Sequence, residues 1–229
     1  MPILDAYQAD HGDFVLAGLP YTEMREYLPK LCDTIVHGCK RIDSIVRELR
    51  DFARPKPETY RENVDVNHVV KSALILLHIQ IERATNQFFL ELAPDLPIVV
   101  GNALRLEQVV INLVLNACEA LPRKTAKVRV RTSYDEEANE VVVLVQDEGR
   151  GIPPENLKRI TDPFFTTKRD MGGTGLGLSI SSNIVLNHGG RLEFDSEPGR
   201  GTTVQMRLPV PDTSDATQHR LADSRTKMP

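Results

Sequence analysis

The sequence predicts an α+β fold in which a long helix precedes a two-layer sandwich of helices and strands. Apolar residues recur at heptad spacing through one stretch near the N-terminus, which is typical of a helix packed along its length against partner helices. From residue 62 to about 209, helical segments alternate with short strands that pair mostly as hairpins. The 229 residues suffice for one large domain or two small ones.

The composition narrows the classes of function. The chain has 28 Lys and Arg against 32 Asp and Glu and no long basic cluster, so we expect no nucleic-acid partner. No apolar run reaches the roughly 18 residues of a membrane span, and the N-terminus lacks the features of a signal peptide. Cys32, Cys39 and Cys118 form no CxxC pair and are odd in number. This favours a reduced cytoplasmic setting without a zinc site or disulfide framework.

The first predicted element is a long helix. Residues 1–20 show no clear period and are expected to form a loop or an irregular turn. A helix is predicted from Tyr21 to about Arg54, where Pro55 and Pro57 end it. Its apolar seam consists of Leu28, Leu31, Ile35, Ile42, Ile45, Leu49 and Phe52. A plain amphipathic core helix is the alternative, but a length of about 30 residues favours a coiled coil or a helical-hairpin dimer.

The second predicted region alternates helices and strands. Helices are predicted over 66–83, 103–121 and 176–188, and strands over 87–93, 98–100, 128–134, 141–146, 191–196 and 203–208. The acidic turn 135–139 joins two of these strands as a hairpin, and the glycine-rich turn 198–201 joins the last two. Residues 211–229 are polar without a period and are predicted to be a disordered tail.

The helix over 103–121 carries two asparagines that its fold does not require. Asn112 and Asn116 are four residues apart and therefore share one face, and Glu119 lies near that face. Asparagine is a poor helix former, and burying its amide without partners costs roughly 1–3 kcal/mol. Amide oxygens suit a hard cation such as Mg²⁺. The alternative is that both amides bond to neighbouring loops.

Two glycine-rich segments follow, at 147–152 and 172–178. The second opens directly into a predicted helix, so its backbone N–H groups could form a nest for phosphate oxygens. It is not a Walker loop, because no Gly-Lys-Ser/Thr follows, and no βαβ unit surrounds it as a dinucleotide fingerprint requires. Taken alone, a structural glycine turn is an equal alternative.

Five motifs together resemble those of the sensor histidine kinases, in the order of that family. Asn-Leu-Val-Leu-Asn-Ala-Cys-Glu-Ala at 112–120 resembles the asparagine box, and Asp-Glu-Gly-Arg-Gly-Ile at 147–152 the first glycine box. Pro-Phe-Phe-Thr-Thr-Lys at 163–168 is similar to the phenylalanine box. Gly-Thr-Gly-Leu-Gly-Leu at 173–178 is similar to the second glycine box, and Gly-Arg-Gly-Thr at 199–202 to the closing glycine turn.

The resemblance implies the ATP-binding fold shared with gyrase, Hsp90 and MutL, with helices on one face of a mixed sheet. It implies that Asp147 accepts a hydrogen bond from the adenine amino group and that Asn116, with Asn112, holds Mg²⁺. Residues 161–175 would be a mobile lid, and Lys168 would reach the terminal phosphate. Asn112, Asn116 and Lys168 are the implied catalytic residues. The implied ATP-binding residues are Asn116, Glu119, Asp147, Gly149, Gly151, Ile152, Thr166, Thr167, Lys168, Gly173, Thr174, Gly175, Leu176, Gly177, Leu178 and Thr202.

The long helix resembles the second helix of the dimerisation hairpin of that family. The implied domains are a partial dimerisation and phosphotransfer hairpin at 1–57 and an ATP-binding domain at 58–210, before the tail. None of the six histidines has the family's acceptor context, a histidine followed by an acid and then Asn-Pro, so the acceptor is unknown. We expect that the sequence starts just downstream of that motif and that residues 1–20 are the turn between the two hairpin helices.

The resemblance implies a homodimeric kinase that moves the ATP γ-phosphoryl group to a histidine and then to an aspartate on a response-regulator receiver domain. A slow ATP hydrolase of the gyrase or MutL type is one alternative. Those relatives carry a glutamate base four residues before the metal-binding asparagine, where this chain has Asn112, whose amide cannot take a proton from water as a carboxylate can. A serine kinase of the anti-sigma type and an ATP-binding scaffold that transfers nothing are the others.

Overall fold

The computed structural model describes residues 2–53, 61–168 and 173–211. The chain divides into two compact units, Met1–Arg50 and Asp51–Pro229. The domain boundaries predicted from sequence stay predictions. Pro55, Pro57 and residues 212–229 of the predicted tail lie outside the described residues. Within the part of the chain that is described, no helix is long and apolar enough to cross a membrane.

The first unit begins with structure that the sequence analysis did not predict. Helix α1 spans Pro2–His11, and strands β1 (Val15–Leu16) and β2 (Leu19–Pro20) form an antiparallel hairpin. The prediction that residues 1–20 form a loop or irregular turn is therefore wrong. The helix has no buried residue, so no apolar period marks it in the sequence.

Helix α2 spans Tyr21–Ala53, as predicted to within a residue. Tyr21 at its start is fully buried, its hydroxyl donates to Asp5 Oδ1 at 2.8 Å, and its ring stacks on Phe14. These contacts join α1 and the hairpin to the first turn of α2. Several apolar side chains of α2 are exposed, namely Tyr27, Leu28, Leu31, Ile35, Val36, Ile42 and Val46.

The second unit is built on a five-stranded mixed sheet, which confirms the predicted α+β class. The strand order is β4-β6-β7-β9-β8, where only the β4–β6 pair is parallel. The strands are β4 (Gln87–Glu91), β6 (Lys127–Asp135), β7 (Glu140–Asp147), β8 (Arg191–Glu197) and β9 (Gly201–Pro209). Strands β3 (Glu62–Val64) and β5 (Val99–Gly101) pair as a separate antiparallel sheet.

Helices cover one face of the five-stranded sheet. They are α3 (Val66–Leu76), α4 (His78–Ala84), α5 (Ala103–Ala120), the short α6 (Pro154–Leu157) and α7 (Gly177–Asn187). The prediction of one helix over 66–83 is wrong, because the helix is interrupted at Leu77, which has φ −94° and ψ 3°. The break directs Leu77 and Ile81 into the core, whereas Ile75 and Leu76 are exposed. Residues 66–84 contain no glycine or proline that would have predicted this interruption.

The core lies between α5 and the sheet. Helix α5 buries Leu106, Val109, Val110, Leu113, Val114 and Ala117, and they join one apolar cluster with the inward valines of β6 and β7. Burial alternates along β6 and β9, as the period of two in a half-buried strand requires. The open face of the sheet carries charges instead, and Arg207 there contacts Asp135 and Glu193, each at 2.9 Å.

Hydrogen bonds fix where α5 begins. Asn102 caps the helix by accepting from the Arg105 backbone N–H at 3.1 Å, and its own N–H donates to His188 Nε2 at 2.9 Å. His188 is buried at the end of α7, and its Nδ1 lies 2.7 Å from the Ile184 carbonyl oxygen. Because a backbone N–H only donates and a carbonyl only accepts, these two contacts fit the imidazole tautomer that carries its proton on Nδ1. The start of α5 is thereby tied to the end of α7.

Candidate functional site

The candidate site forms where loops converge on the C-terminal half of α5. The backbone N–H of Arg150 donates to the Ala120 carbonyl at 3.0 Å, and the Arg150 guanidinium donates to the Glu119 carbonyl at 2.8 Å. Lys168 Nζ lies 2.6 Å from Glu119 Oε2. Gly177 packs against the Asn112 side chain. The structure therefore brings together residues of four motifs that are up to 65 positions apart in the sequence.

Asp147 is a buried carboxylate at the end of β7. Its Oδ1 accepts a hydrogen bond from the Gly149 backbone N–H at 2.8 Å. Burial raises the pKa of this carboxyl from 3.8 to about 6, although the backbone N–H groups of Gly149 and Thr202 and the Lys168 ammonium act in the opposite direction. The side chain is thus held as an acceptor in a desolvated place, where it can bind a hydrogen-bond donor strongly.

The loop after Asp147 is held against the β8–β9 turn. Gly151 has φ +66°, and a Cβ there would collide with the Glu197 carbonyl. Ser196 on β8 accepts from the Ile152 backbone N–H at 2.8 Å and lies 2.9 Å from Thr202 Oγ1. Ser196 therefore joins two of the predicted site residues. Sequence analysis missed Ser196. A possible signal was its alternation with Leu192 and Phe194 along β8, which places all three on one face of the strand.

The two asparagines of α5 are in contact with each other, as their spacing predicted. Asn116 Nδ2 donates to Asn112 Oδ1 at 3.4 Å, and Asn112 Nδ2 donates to Ser181 Oγ on α7 at 2.9 Å. Among the described residues, no hydrogen bond reaches Asn116 Oδ1. This carbonyl oxygen is therefore the oxygen of the pair that can face a bound cation. Metal binding by Asn112 stays a prediction, because its amide is engaged at both ends.

Lys168 and Glu119 link the phenylalanine segment to α5. The Lys168 side chain is 23% exposed and pairs with Glu119, which is 57% exposed. The Lys168 backbone N–H also donates to Thr166 Oγ1 at 3.0 Å, whereas Thr167 is exposed. Lys168 is therefore a paired, partly buried cation at the rim of the site.

The second glycine segment leads directly into α7. Gly175 has φ +72° and packs so closely on Phe164 that a Cβ would lie 2.5 Å from the Phe164 carbonyl carbon. The Leu176 backbone N–H donates to Thr174 Oγ1 at 3.2 Å, and Leu176 itself is buried. Gly173, Gly177 and Leu178 are half-buried. Residues 169–172 of the predicted lid lie outside the described residues, so its mobility stays a prediction.

The donor set suits Mg²⁺ bound largely through phosphate oxygens. Among the residues that the structure describes, no three His, Cys, Asp or Glu side chains form a cluster that could hold a metal ion. Mg²⁺ commonly takes one or two protein oxygens together with water and substrate phosphates. Asn116 Oδ1 is such an oxygen, and Glu119 offers a carboxylate three residues away. Cys118 between them is buried and burial raises the pKa of its thiol to about 11; its soft sulfur is also a poor donor for Mg²⁺, which prefers oxygen.

The family comparison identifies the kind of domain. Residues 101–212 match the family described as histidine kinase-, DNA gyrase B-, and HSP90-like ATPase. The sensor histidine kinase ZraS of Klebsiella oxytoca is 37% identical over 171 residues, which are 74% of this chain and 36% of that protein. The matches to three other curated relatives cover 31%, 23% and 43% of the lengths of those proteins, so this chain corresponds to less than half of each.

Solved structures give the same result. The catalytic domain of the histidine kinase ThkA is 30% identical with a TM-score of 0.57, and the match covers 66% of this chain and 99% of that domain. The structure of ThkA in complex with the response regulator protein TrrA is 26% identical with a TM-score of 0.64. That match covers 80% of this chain and 52% of the other chain.

The burial of Asp147 predicts a cost in stability. With its pKa raised to about 6, the folded chain binds more protons than the unfolded chain between about pH 4 and pH 6. The stability contributed by this residue therefore falls as pH rises through that window. We therefore compare the change in the free energy of unfolding that Asp147→Asn causes at two pH values. Above pH 6 this change should be more stabilising than at pH 4 by about 1–3 kcal/mol.

Urea unfolding followed by circular dichroism between pH 4 and pH 8 measures this difference. Asp195→Asn, at an exposed position on β8, is the matched control and should give a difference that does not change with pH. The same flat profile for Asp147→Asn would contradict the assignment of a desolvated carboxylate.

Proposed function

Because the chain belongs to the sensor histidine kinase family, we propose that it binds Mg-ATP and transfers the γ-phosphoryl group to a histidine nitrogen. One observation carries the proposal, namely the convergence of Asp147, Asn116 and the two glycine segments on one end of α5. This end of α5 combines a buried hydrogen-bond acceptor, an oriented amide oxygen and the start of a helix. They match the base, the metal and the phosphates of a nucleotide.

Asp147 would read the adenine base. A carboxylate accepts hydrogen bonds only, so it selects an exocyclic amino group over a carbonyl oxygen. Its desolvated position strengthens that hydrogen bond, and the turn at Gly149 and Gly151 lets the backbone approach the ring. Bound adenine would favour the ionised form and thereby lower the pKa of Asp147.

Asn116 would hold the metal, with Asn112 beside it. Mg²⁺ held there would supply positive charge that offsets the charge of the phosphates. Glu119 and Lys168 already form an ion pair at this rim, so Lys168 would exchange the Glu119 carboxylate for the terminal phosphate. Catalysis of this kind rests on positioning and charge neutralisation, with little covalent work for the protein.

The glycine segment would hold the phosphates. The N-cap residue of α7 is Leu176, whose own side chain makes no capping hydrogen bond, so the first N–H groups of the helix can donate to phosphate oxygens. Gly173, Thr174 and Gly175 lie immediately before them. Thr166, Thr167, Ile152, Leu178 and Thr202 would complete the surroundings of the nucleotide.

We further propose that the histidine is presented by a dimerisation hairpin and that the phosphoryl group passes to a response-regulator aspartate in the cytoplasm. The exposed apolar residues of α2 support a homodimer, since such a surface needs a partner helix. The complex of the similar kinase ThkA with TrrA supports a receiver domain as the second partner.

ATP hydrolysis is the less favoured alternative. The Asn112 amide donates to Ser181 and accepts from Asn116, and an amide is not a general base at any ordinary pH. A water at this position would lack the group that removes its proton.

The proposal predicts transfer to a histidine supplied separately. The chain with radiolabelled Mg-ATP and a two-helix hairpin domain from a related histidine kinase should give acid-labile, base-stable phosphate on the hairpin. Asp147→Asn should abolish most of this transfer at the same ATP concentration. Release of free phosphate without labelled hairpin would favour the hydrolase, and ATP binding with neither product would favour the scaffold.

A second prediction concerns the metal. Asn116→Ala should weaken ATP binding in the presence of Mg²⁺ on the order of 10–100-fold, because the cation loses its protein oxygen. Binding of ADP without Mg²⁺ should change far less. Calorimetry gives both constants, and Asn183→Ala, at an exposed position on α7, serves as the control. Equal losses with and without the cation would make Asn116 a structural residue.

A further inference from the structure

A hydrogen-bond relay connects α7 to the candidate metal ligand. Ser181 is 1% exposed on α7, and its Oγ accepts from Asn112 Nδ2 at 2.9 Å. Asn112 Oδ1 in turn accepts from Asn116 Nδ2 at 3.4 Å. The relay runs from a buried hydroxyl through one amide to the next.

The direction of this relay determines what Asn116 can offer. An amide has one donating end and one accepting end. With Asn112 Nδ2 directed at Ser181, its Oδ1 faces Asn116 and takes up the Asn116 NH₂ group. If Asn112 were reversed, its NH₂ would face Asn116 and would capture the Asn116 carbonyl oxygen. Only the observed direction leaves Asn116 Oδ1 available to a cation.

We propose that Ser181 is a positioning residue that anchors the Asn112 amide to α7 beside Asn116 and thereby keeps Asn116 Oδ1 available for Mg²⁺. The inference rests on the proposed function, since it concerns the metal of that site. Without the hydroxyl, Asn112 Nδ2 has no acceptor at position 181, so the amide loses this contact with α7 and is free to turn away from Asn116.

The packing of α7 reinforces the arrangement. Gly177 and Ser181 are four residues apart and lie on one face of the helix. A Cβ on Gly177 would lie 2.6 Å from Asn112 Oδ1, so the helix contacts Asn112 at both positions. Because Gly177 is the first residue of α7, the start of this helix lies directly against Asn112.

The test compares Ser181→Ala with Ser179→Ala. Ser179 is a buried serine on the same helix, and its hydroxyl donates to its own helix at Leu176 O, 2.8 Å away. Ser181→Ala should raise the Mg²⁺ concentration for half-maximal ATP binding by roughly 10-fold or more, with Mg²⁺-free ADP binding changed less than about threefold. Ser179→Ala should leave the Mg²⁺ requirement unchanged. Ser181→Thr keeps the hydroxyl and should therefore have the Mg²⁺ requirement of the unmodified chain.

A double-mutant cycle separates positioning from general damage. Ser181→Ala should have no further effect on the Mg²⁺ requirement in an Asn112→Ala background, because the relay is already broken. Additive effects, or a Ser181→Ala variant that behaves as Ser179→Ala does, would overturn the inference. Failure of the unmodified chain to bind Mg-ATP would instead overturn the proposed function.

Discussion

The second unit depends on one constraint, which is that α5 must serve the core and the site at the same time. One face of the helix buries a continuous row of leucine, valine and alanine against the sheet. The adjoining face carries Asn112, Asn116 and Glu119 and receives the loops that follow β7 and precede α7. Since close packing holds the apolar face rigidly, the same packing also fixes the backbone of the polar face.

The Asp147 carboxylate, beside the C-terminal half of α5, lowers the stability of the fold. Asp147 is buried with a pKa raised to about 6, so its ionised form is costly at neutral pH. The backbone N–H groups of Gly149 and Thr202 do not offset this cost, because the pKa stays raised despite them. Retention of the carboxylate makes sense if a ligand supplies the remaining donor. Perturbed carboxylates of this kind concentrate at functional sites.

Much of this could be predicted from sequence because the signals are local. The four-residue spacing placed both asparagines on one face, and the acid before Gly149 and Gly151 marked the end of β7. What was missed depends on neighbours in space. Helix α1 buries nothing, the break at Leu77 has no glycine or proline, and Ser181 and Ser196 gain their roles only from the elements they meet. The Lys168–Glu119 pair joins residues 49 positions apart, which no local pattern reports.

The claim that matters most is that the Asp147 carboxylate recognises the amino group of adenine. Calorimetric affinities of the chain for Mg-ATP and Mg-GTP test it directly, since guanine presents a carbonyl oxygen where adenine presents the amino group. The account predicts that the unmodified chain binds ATP at least tenfold more tightly than GTP, corresponding to one hydrogen bond of about 1.4 kcal/mol or more. Asp147→Asn should remove that preference. Equal affinities for the two nucleotides in the unmodified chain would contradict the account.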